Sequence, residues 1–237
     1  MKKNLLLIFL FCAMASFAQN RATPYDFPVK PGTSEWRKLQ SRTEMATATQ
    51  IPGDILKNLT TEALAKTCLT FPLFKDLYFF NSPQVGFDGL KQSFNGFQEL
   101  LNRNDAGVEL TRLYKQMNPE GIKSPINDTA RGDFAFQFVQ IEILLAQDQI
   151  ISTLSASAKS ELLTEASQKY TSKKATGGFS GFTLAPSILI IGRILDKENK
   201  LQTLKTELSN DIVQNFLTTG VTDKPEILER ILSASKD

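Results

Sequence analysis

The apolar residues of this chain recur at steps of three and four almost from end to end, which is the period of a helix with one buried face. Leu59, Ala63, Leu64 and Cys68 make one such stripe. After Ser82-Pro83, a cap with proline at the first helical position, come Phe87, Leu90, Phe94, Phe97 and Leu101. Their spacing predicts a single continuous helix with one apolar face. Ala106, Leu110, Leu113 and Met117 repeat the pattern. Phe134, Phe138, Ile141 and Leu145 do so again, while Phe136, Val139, Ile143 and Leu144 fill the other sides. That predicts a central helix buried nearly all round. Leu162, Ala166 and Tyr170 follow, then Ile188, Ile191 and Leu195. Leu201, Leu204, Leu208, Ile212 and Phe216 form the cleanest stripe of the second half. Asp223 to Glu226 resembles a capping box, opening a last helix with Ile227, Leu228, Ile231 and Leu232.

Strand alternation is almost absent. The run "SILIIGRIL" after Pro186 reads as a buried helix, with a strand as its alternative, because short apolar runs are ambiguous. Pro24, Pro28, Pro31 and Gly32 exclude regular structure from residues 19–33. Thr33 then caps a helix carrying Glu35 in its first turn, with Trp36, Leu39 and Met45 inside. Two interruptions stand out: a polar loop over residues 118–132 and a glycine-rich joint over 175–183, "ATGGFSGFT". The fold class is therefore all-α: an irregular array or bundle of antiparallel helix pairs, compatible with solenoid-like stacking, behind an extended lead. Residues 34–237 form one domain, and the long loop also allows two lobes, 34–117 and 133–237.

The first residues change this picture. Lys2 and Lys3, a short apolar run from Leu5 to Phe11, and Ser16-Phe17-Ala18 have the pattern of a secretory signal peptide cut before Gln19. The expected location is the periplasm or the outside of the cell. Without Lys2 and Lys3 the 27 basic residues fall to 25, equal to the 25 acids. A balanced chain gives no electrostatic reason to expect nucleic acid as partner. No later stretch is apolar for long enough to span a bilayer, so no membrane insertion is expected after cleavage. Lys173-Lys174 is the nearest thing to a basic cluster and reads as a solvated helix end. Cys12 leaves with the leader, so Cys68 has no partner for a disulfide and reads as a small buried residue.

There is no histidine. This removes Ser-His-Asp and Cys-His catalysis and the common zinc-hydrolase motifs. No catalytic residue, cofactor or metal is expected. A carboxylate pair is the remaining hydrolytic chemistry, but Glu99, Asp105 and Glu109 are spread along helix faces, and Asp128 and Asp133 lack calcium-loop spacing. The joint at Gly177-Gly178-Phe179-Ser180-Gly181-Phe182 matches no phosphate or dinucleotide loop. Asp128-Thr129-Ala130 matches a short O-glycosylation pattern of some Gram-negative periplasms, which makes Thr129 a candidate acceptor.

Aromatic residues concentrate in 70–101, where seven of the 17 phenylalanines fall beside Tyr78. Spacing assigns Phe87, Phe94 and Phe97 to the core, and Leu73, Leu77 and Phe80 to a second core face. Tyr78 and Phe79 fit neither. With Phe179 and Phe182 of the joint they are the candidate partner-binding residues.

Pro31-Gly32-Thr33-Ser34-Glu35-Trp36, Gln50-Ile51-Pro52 and Cys68-Leu69-Thr70-Phe71-Pro72-Leu73 carry a resemblance. With "GFDGLKQSFNGFQELLNRNDAG" (86–107), they resemble the N-terminal half of an uncharacterised family of secreted helical proteins of gut and environmental Gram-negative bacteria. The resemblance covers about the first half of the mature chain. It implies export and brings no activity or catalytic residue with it. The expected function is a helical interaction or scaffold module for an envelope or extracellular protein, peptide or glycan. The alternatives are a carboxylate-dependent hydrolase of envelope or dietary polymers and a structural accessory domain without ligand.

Overall fold

The computed structural model describes residues 22–124 and 127–236. The expected leader, its expected cut before Gln19 and Cys12 lie outside the described residues. Among the described residues the protein is all-α with no strand. A lead without helix or strand reaches a 3-10 turn at Trp36–Lys38, where Thr33 Oγ1 accepts from the Trp36 N–H at 3.2 Å. The chain then breaks and restarts at α1 (Arg42–Ala48), capped by Ser41. Next come α2 (Gly53–Asn58), α3 (Thr61–Leu69), a 3-10 turn at Phe74–Phe79, α4 (Pro83–Ser93), α5 (Asn95–Leu101) and α6 (Ala106–Gln116). After a 3-10 turn at Pro119–Lys123 come α7 (Asp128–Leu145), α8 (Asp148–Thr153), α9 (Ala156–Thr176) and α10 (Gly181–Lys197). The chain finishes with α11 (Gln202–Leu208), α12 (Asn210–Thr219) and α13 (Glu226–Ala234).

α7 is the central helix, packed between α6 on one side and α10 on the other. α3 lies against α5 and α6, and α10 against α9, α12 and α13. One contiguous apolar cluster runs from Phe27 to Leu232. The expected burial round α7 holds: Phe136, Phe138, Val139, Ile141, Ile143, Leu144 and Leu145 are all buried. "SILIIGRIL" is helical, within an α10 that starts five residues before Pro186.

Several boundaries differ from the sequence reading, each for a local reason. The five-residue stripe from Phe87 to Leu101 is buried throughout but is not one helix. It breaks at Phe94, whose backbone is extended (φ −133°, ψ 119°). Asn95 holds the break by receiving the Ile51 N–H at 3.0 Å and donating to the Ile51 carbonyl at 2.7 Å. Gln50 Oε1 accepts the Asn95 N–H at 3.1 Å. A helix through this point would have bonded Asn95 to its own chain neighbours. Instead the Phe94 ring turns over Gly96, where a Cβ would lie 2.4 Å from it, and stacks on Phe71 at 4.0 Å.

The stripe from Leu201 to Phe216 is likewise broken, at Ser209, which has φ +83°. Beyond it Val213, Phe216 and Leu217 are the buried residues of α12, and Ile212 is only half-buried. The capping box expected at Asp223–Glu226 does not form, since Thr222 Oγ1 receives the Lys224 N–H instead and no side chain caps α13. The long polar loop shrinks, because Pro119–Lys123 folds into a 3-10 turn with Pro119 and Ile122 buried. Phe80 is 41% exposed rather than core. A 3-10 turn repeats every three residues, so Phe74 and Leu77 face inward and are fully buried, but the chain extends at Phe80 (φ −109°, ψ 152°) before that face recurs.

Candidate functional site

Three arrangements concentrate chemistry. The first is an aromatic face. The 3-10 turn anchored by Phe74 and Leu77 holds out Tyr78, Phe79 and Phe80, which are 49%, 84% and 41% exposed. Phe80 lies along α4 above Gly86 and Gly89. A Cβ on Gly86 would meet Leu77 at 2.9 Å and Phe80 at 3.0 Å, so glycine permits this approach. The Tyr78 ring sits 4.5 Å from Phe136 and 5.2 Å from Phe182, which it stacks upon. Burial, and the nearby charge of Asp133, push the Tyr78 phenol above its ordinary value, so the hydroxyl stays protonated at neutral pH.

The second arrangement is a groove of about 650 Å³ that shares Phe136 with this face. Its lining is mainly apolar: Leu69, Phe71, Leu113, Met117, Phe136 and Ile141. Gln116, Gln137 and Gln140 add carboxamides, and Gln140 Nε2 donates to the Leu69 carbonyl at 3.2 Å. Lys75 and Asp133 also line it and pair with each other at 2.6 Å. A volume of this size, mainly apolar with a few polar groups, is usual for binding sites.

The third is a buried ionic knot that the sequence reading missed. Lys173 is fully buried, not a solvated helix end; only its neighbour Lys174 is exposed. The Lys173 ammonium donates to Glu142 Oε1 at 2.9 Å, to Glu142 Oε2 at 2.8 Å and to the Thr183 carbonyl at 2.7 Å. All three of its protons therefore have acceptors. Glu142 Oε1 also accepts from the Tyr114 hydroxyl at 2.5 Å and the Ser187 hydroxyl at 2.7 Å. Burial pulls the Lys173 pKa down against the opposing charge of Glu142. It pushes the Tyr114 phenol well up, with Glu142 adding to the effect. Lys, Glu, Tyr and Ser could serve acid–base or nucleophilic chemistry. Here every side chain is sealed and saturated, so the arrangement is a structural knot. The signal for it was Glu142, the one acid within the apolar run of the helix expected to be buried all round.

The remaining predicted residues are placed as follows. Phe179 does not point outward: its ring meets Phe138 edge-on at 5.6 Å and lies 5.8 Å from the Lys173 ammonium, half-buried over the knot. Phe182 joins Tyr78, so the structure brings those two together and separates Phe179 from them, while Phe79 adjoins Tyr78 along the chain. Glu99 pairs with Arg103 and Glu109 with Arg112. Asp105 accepts from Thr61, and Asp128 pairs with Arg131. Asp133 is the one carboxylate lining the groove. Thr129 is exposed in the first turn of α7, which Asn127 caps. Cys68 is fully buried, and no cluster of metal-ligating side chains occurs among the described residues. No helix of the described residues is long and apolar enough to cross a membrane. No protein-family model, curated protein or solved structure matches the chain.

Proposed function

We propose that the protein is an exported helical binding module, and that Tyr78, Phe79, Phe80 and Phe182 together with the neighbouring groove form its docking site. The carrying observation is Phe79. The fold buries Phe71, Phe74, Phe87, Phe94 and Phe97 from the same stretch, yet leaves the Phe79 ring 84% exposed. Exposed aromatics grouped beside an apolar groove are the usual anchors of an interface. The rim favours a neutral partner, because Lys75 and Asp133 already neutralise each other. The carboxamides of Gln116 and Gln137 offer both donors and acceptors to a peptide backbone. The partner is thus a protein or peptide segment with apolar side chains. A two-carboxylate hydrolase would need a second acid opposite Asp133, and the groove has none. Capture from an envelope extract tests the proposal, with the mature chain beside Phe79→Ser and Phe182→Ser. The same partner should be recovered by the wild type and lost with both variants. Equal recovery by all three would remove the site.

A further inference from the structure

The aromatic face depends on Phe182, and Phe182 sits where little else holds the backbone. It is the second residue of α10, directly after the joint at Gly177–Ser180. Gly177 and Gly178 have φ +73° and +80°, a region open to glycine. Nothing lies within 4 Å of a Cβ built on Gly177, so packing does not fix that residue, whereas Gly178 sits on Ile122, 3.0 Å from where its Cβ would be. The first turn of α10 is also short of one bond. Pro186 has no N–H to give to the Phe182 carbonyl four residues earlier. What remains is a local capping box between Ser180 and Thr183, and one bond from beyond the joint. That bond is the Lys173 ammonium on the Thr183 carbonyl at 2.7 Å.

We propose that Lys173 is a positioning residue for the aromatic face. Its ammonium, aimed by Glu142, clasps the first turn of α10 to the last turns of α9. The clasp seats Phe182 on Tyr78 on one side and Phe179 over the knot on the other. This also accounts for the composition of the knot. An apolar filling of the same space could pack as well as a buried ion pair, and often better, but it could not reach a backbone carbonyl across the joint. The proposal rests on the docking role given to the face, and its first readout needs no partner.

The test is hydrogen exchange on the mature wild type, on Lys173→Met, and on the doubly neutral variant Glu142→Gln/Lys173→Met. The double variant leaves no buried charge unpaired, and its carboxamide oxygen at position 142 still accepts from the Tyr114 and Ser187 hydroxyls, so it keeps the fold but lacks the clasp. Amides of residues 177–185 should exchange at least tenfold faster in the double variant, while peptides from Phe97–Leu101 and Ile227–Leu232 keep wild-type protection. Partner capture should then fall as it does for Phe182→Ser. Wild-type exchange across 177–185 would overturn the proposal, and so would an equal loss of protection throughout the chain, which marks a merely structural role. If exchange rises locally but the wild type captures nothing that Phe79→Ser loses, the clasp stands and the docking reading fails.

Discussion

Removing the Lys173 ammonium tests the buried knot energetically. Both partners of the pair are fully buried, and Lys173 makes three bonds of 2.7 to 2.9 Å. In Lys173→Met the Glu142 carboxylate keeps the Tyr114 and Ser187 hydroxyls but loses its only counter-charge within bonding distance. Breaking one side of a buried pair costs about 3–5 kcal/mol, because the other charge is left in a low-dielectric interior. The Thr183 carbonyl also loses its side-chain donor, which adds about 1 kcal/mol. The expected loss is therefore about 4 kcal/mol or more, within reach of the whole stability of an ordinary domain. Glu142→Gln/Lys173→Met should lose less than Lys173→Met alone, since no charge remains to be desolvated and the Tyr114 and Ser187 hydroxyls keep an acceptor oxygen. The assay is urea unfolding at pH 7, comparing midpoints at unchanged slope. A loss below about 1 kcal/mol for the single variant, or a double variant losing the sum of both singles, would refute the reasoning.

Other predictions follow from packing and titration. Phe94→Ala should cost about 3–5 kcal/mol, since this fully buried ring is stacked on Phe71 at 4.0 Å; a loss near zero in the same melt would contradict the placement. Ser209→Gly should raise the unfolding free energy by about 0.5–1 kcal/mol, because serine is strained at φ +83° and glycine is not; a lower urea midpoint would count against strain there. Burial pushes the Cys68 thiol and the Tyr114 phenol well above their ordinary values of 9.0 and 10.0. The unfolded chain therefore releases these protons first, so their contribution is complete below pH 9 and is lost as pH climbs past 9 and 10. Lys173 has the opposite sign, its folded pKa being lowered, so its own contribution grows as pH rises towards 10.5. Tyr25, Tyr78 and Tyr170 are raised too and act in the same direction as Cys68 and Tyr114, so against Lys173 alone the melting temperature should fall between pH 9 and 11, and Cys68→Ala should delay the onset towards pH 10.

Burial was largely legible in the sequence, and chain direction was not. Every member of the Phe87–Leu101 stripe is buried, because both halves of the broken helix turn an apolar side to the same core. The break itself depends on Asn95 meeting Ile51, a pairing 44 residues apart that no local pattern contains. Ser209 is similar, since nothing in "ELSND" announces a left-handed residue. The aromatic face was half legible. Tyr78 and Phe79 failed the helical face, which is why they stood out. Phe80 has core spacing from Leu77, but the chain leaves the turn and extends at Phe80 before the inward face recurs. Phe179 and Phe182 looked equivalent in the joint. They diverge because Phe179 precedes the first turn of α10 and folds inward onto Phe138, whereas Phe182 lies within that turn and faces Tyr78. Lys173 was hidden by its neighbour: a lysine doublet reads as surface until one member is seen to need a partner, and that partner, Glu142, lies 31 residues away.

Site-specific photo-crosslinking tests the docking role most directly. A benzophenone side chain is placed at Phe79, and in a separate chain at Val108, which is 53% exposed on α6. Both positions are open enough to accept the probe without disturbing the core. A discrete crosslinked species is expected from position 79, abolished by Phe182→Ser, and none from position 108. No species from position 79, or the same species from both positions, would contradict it.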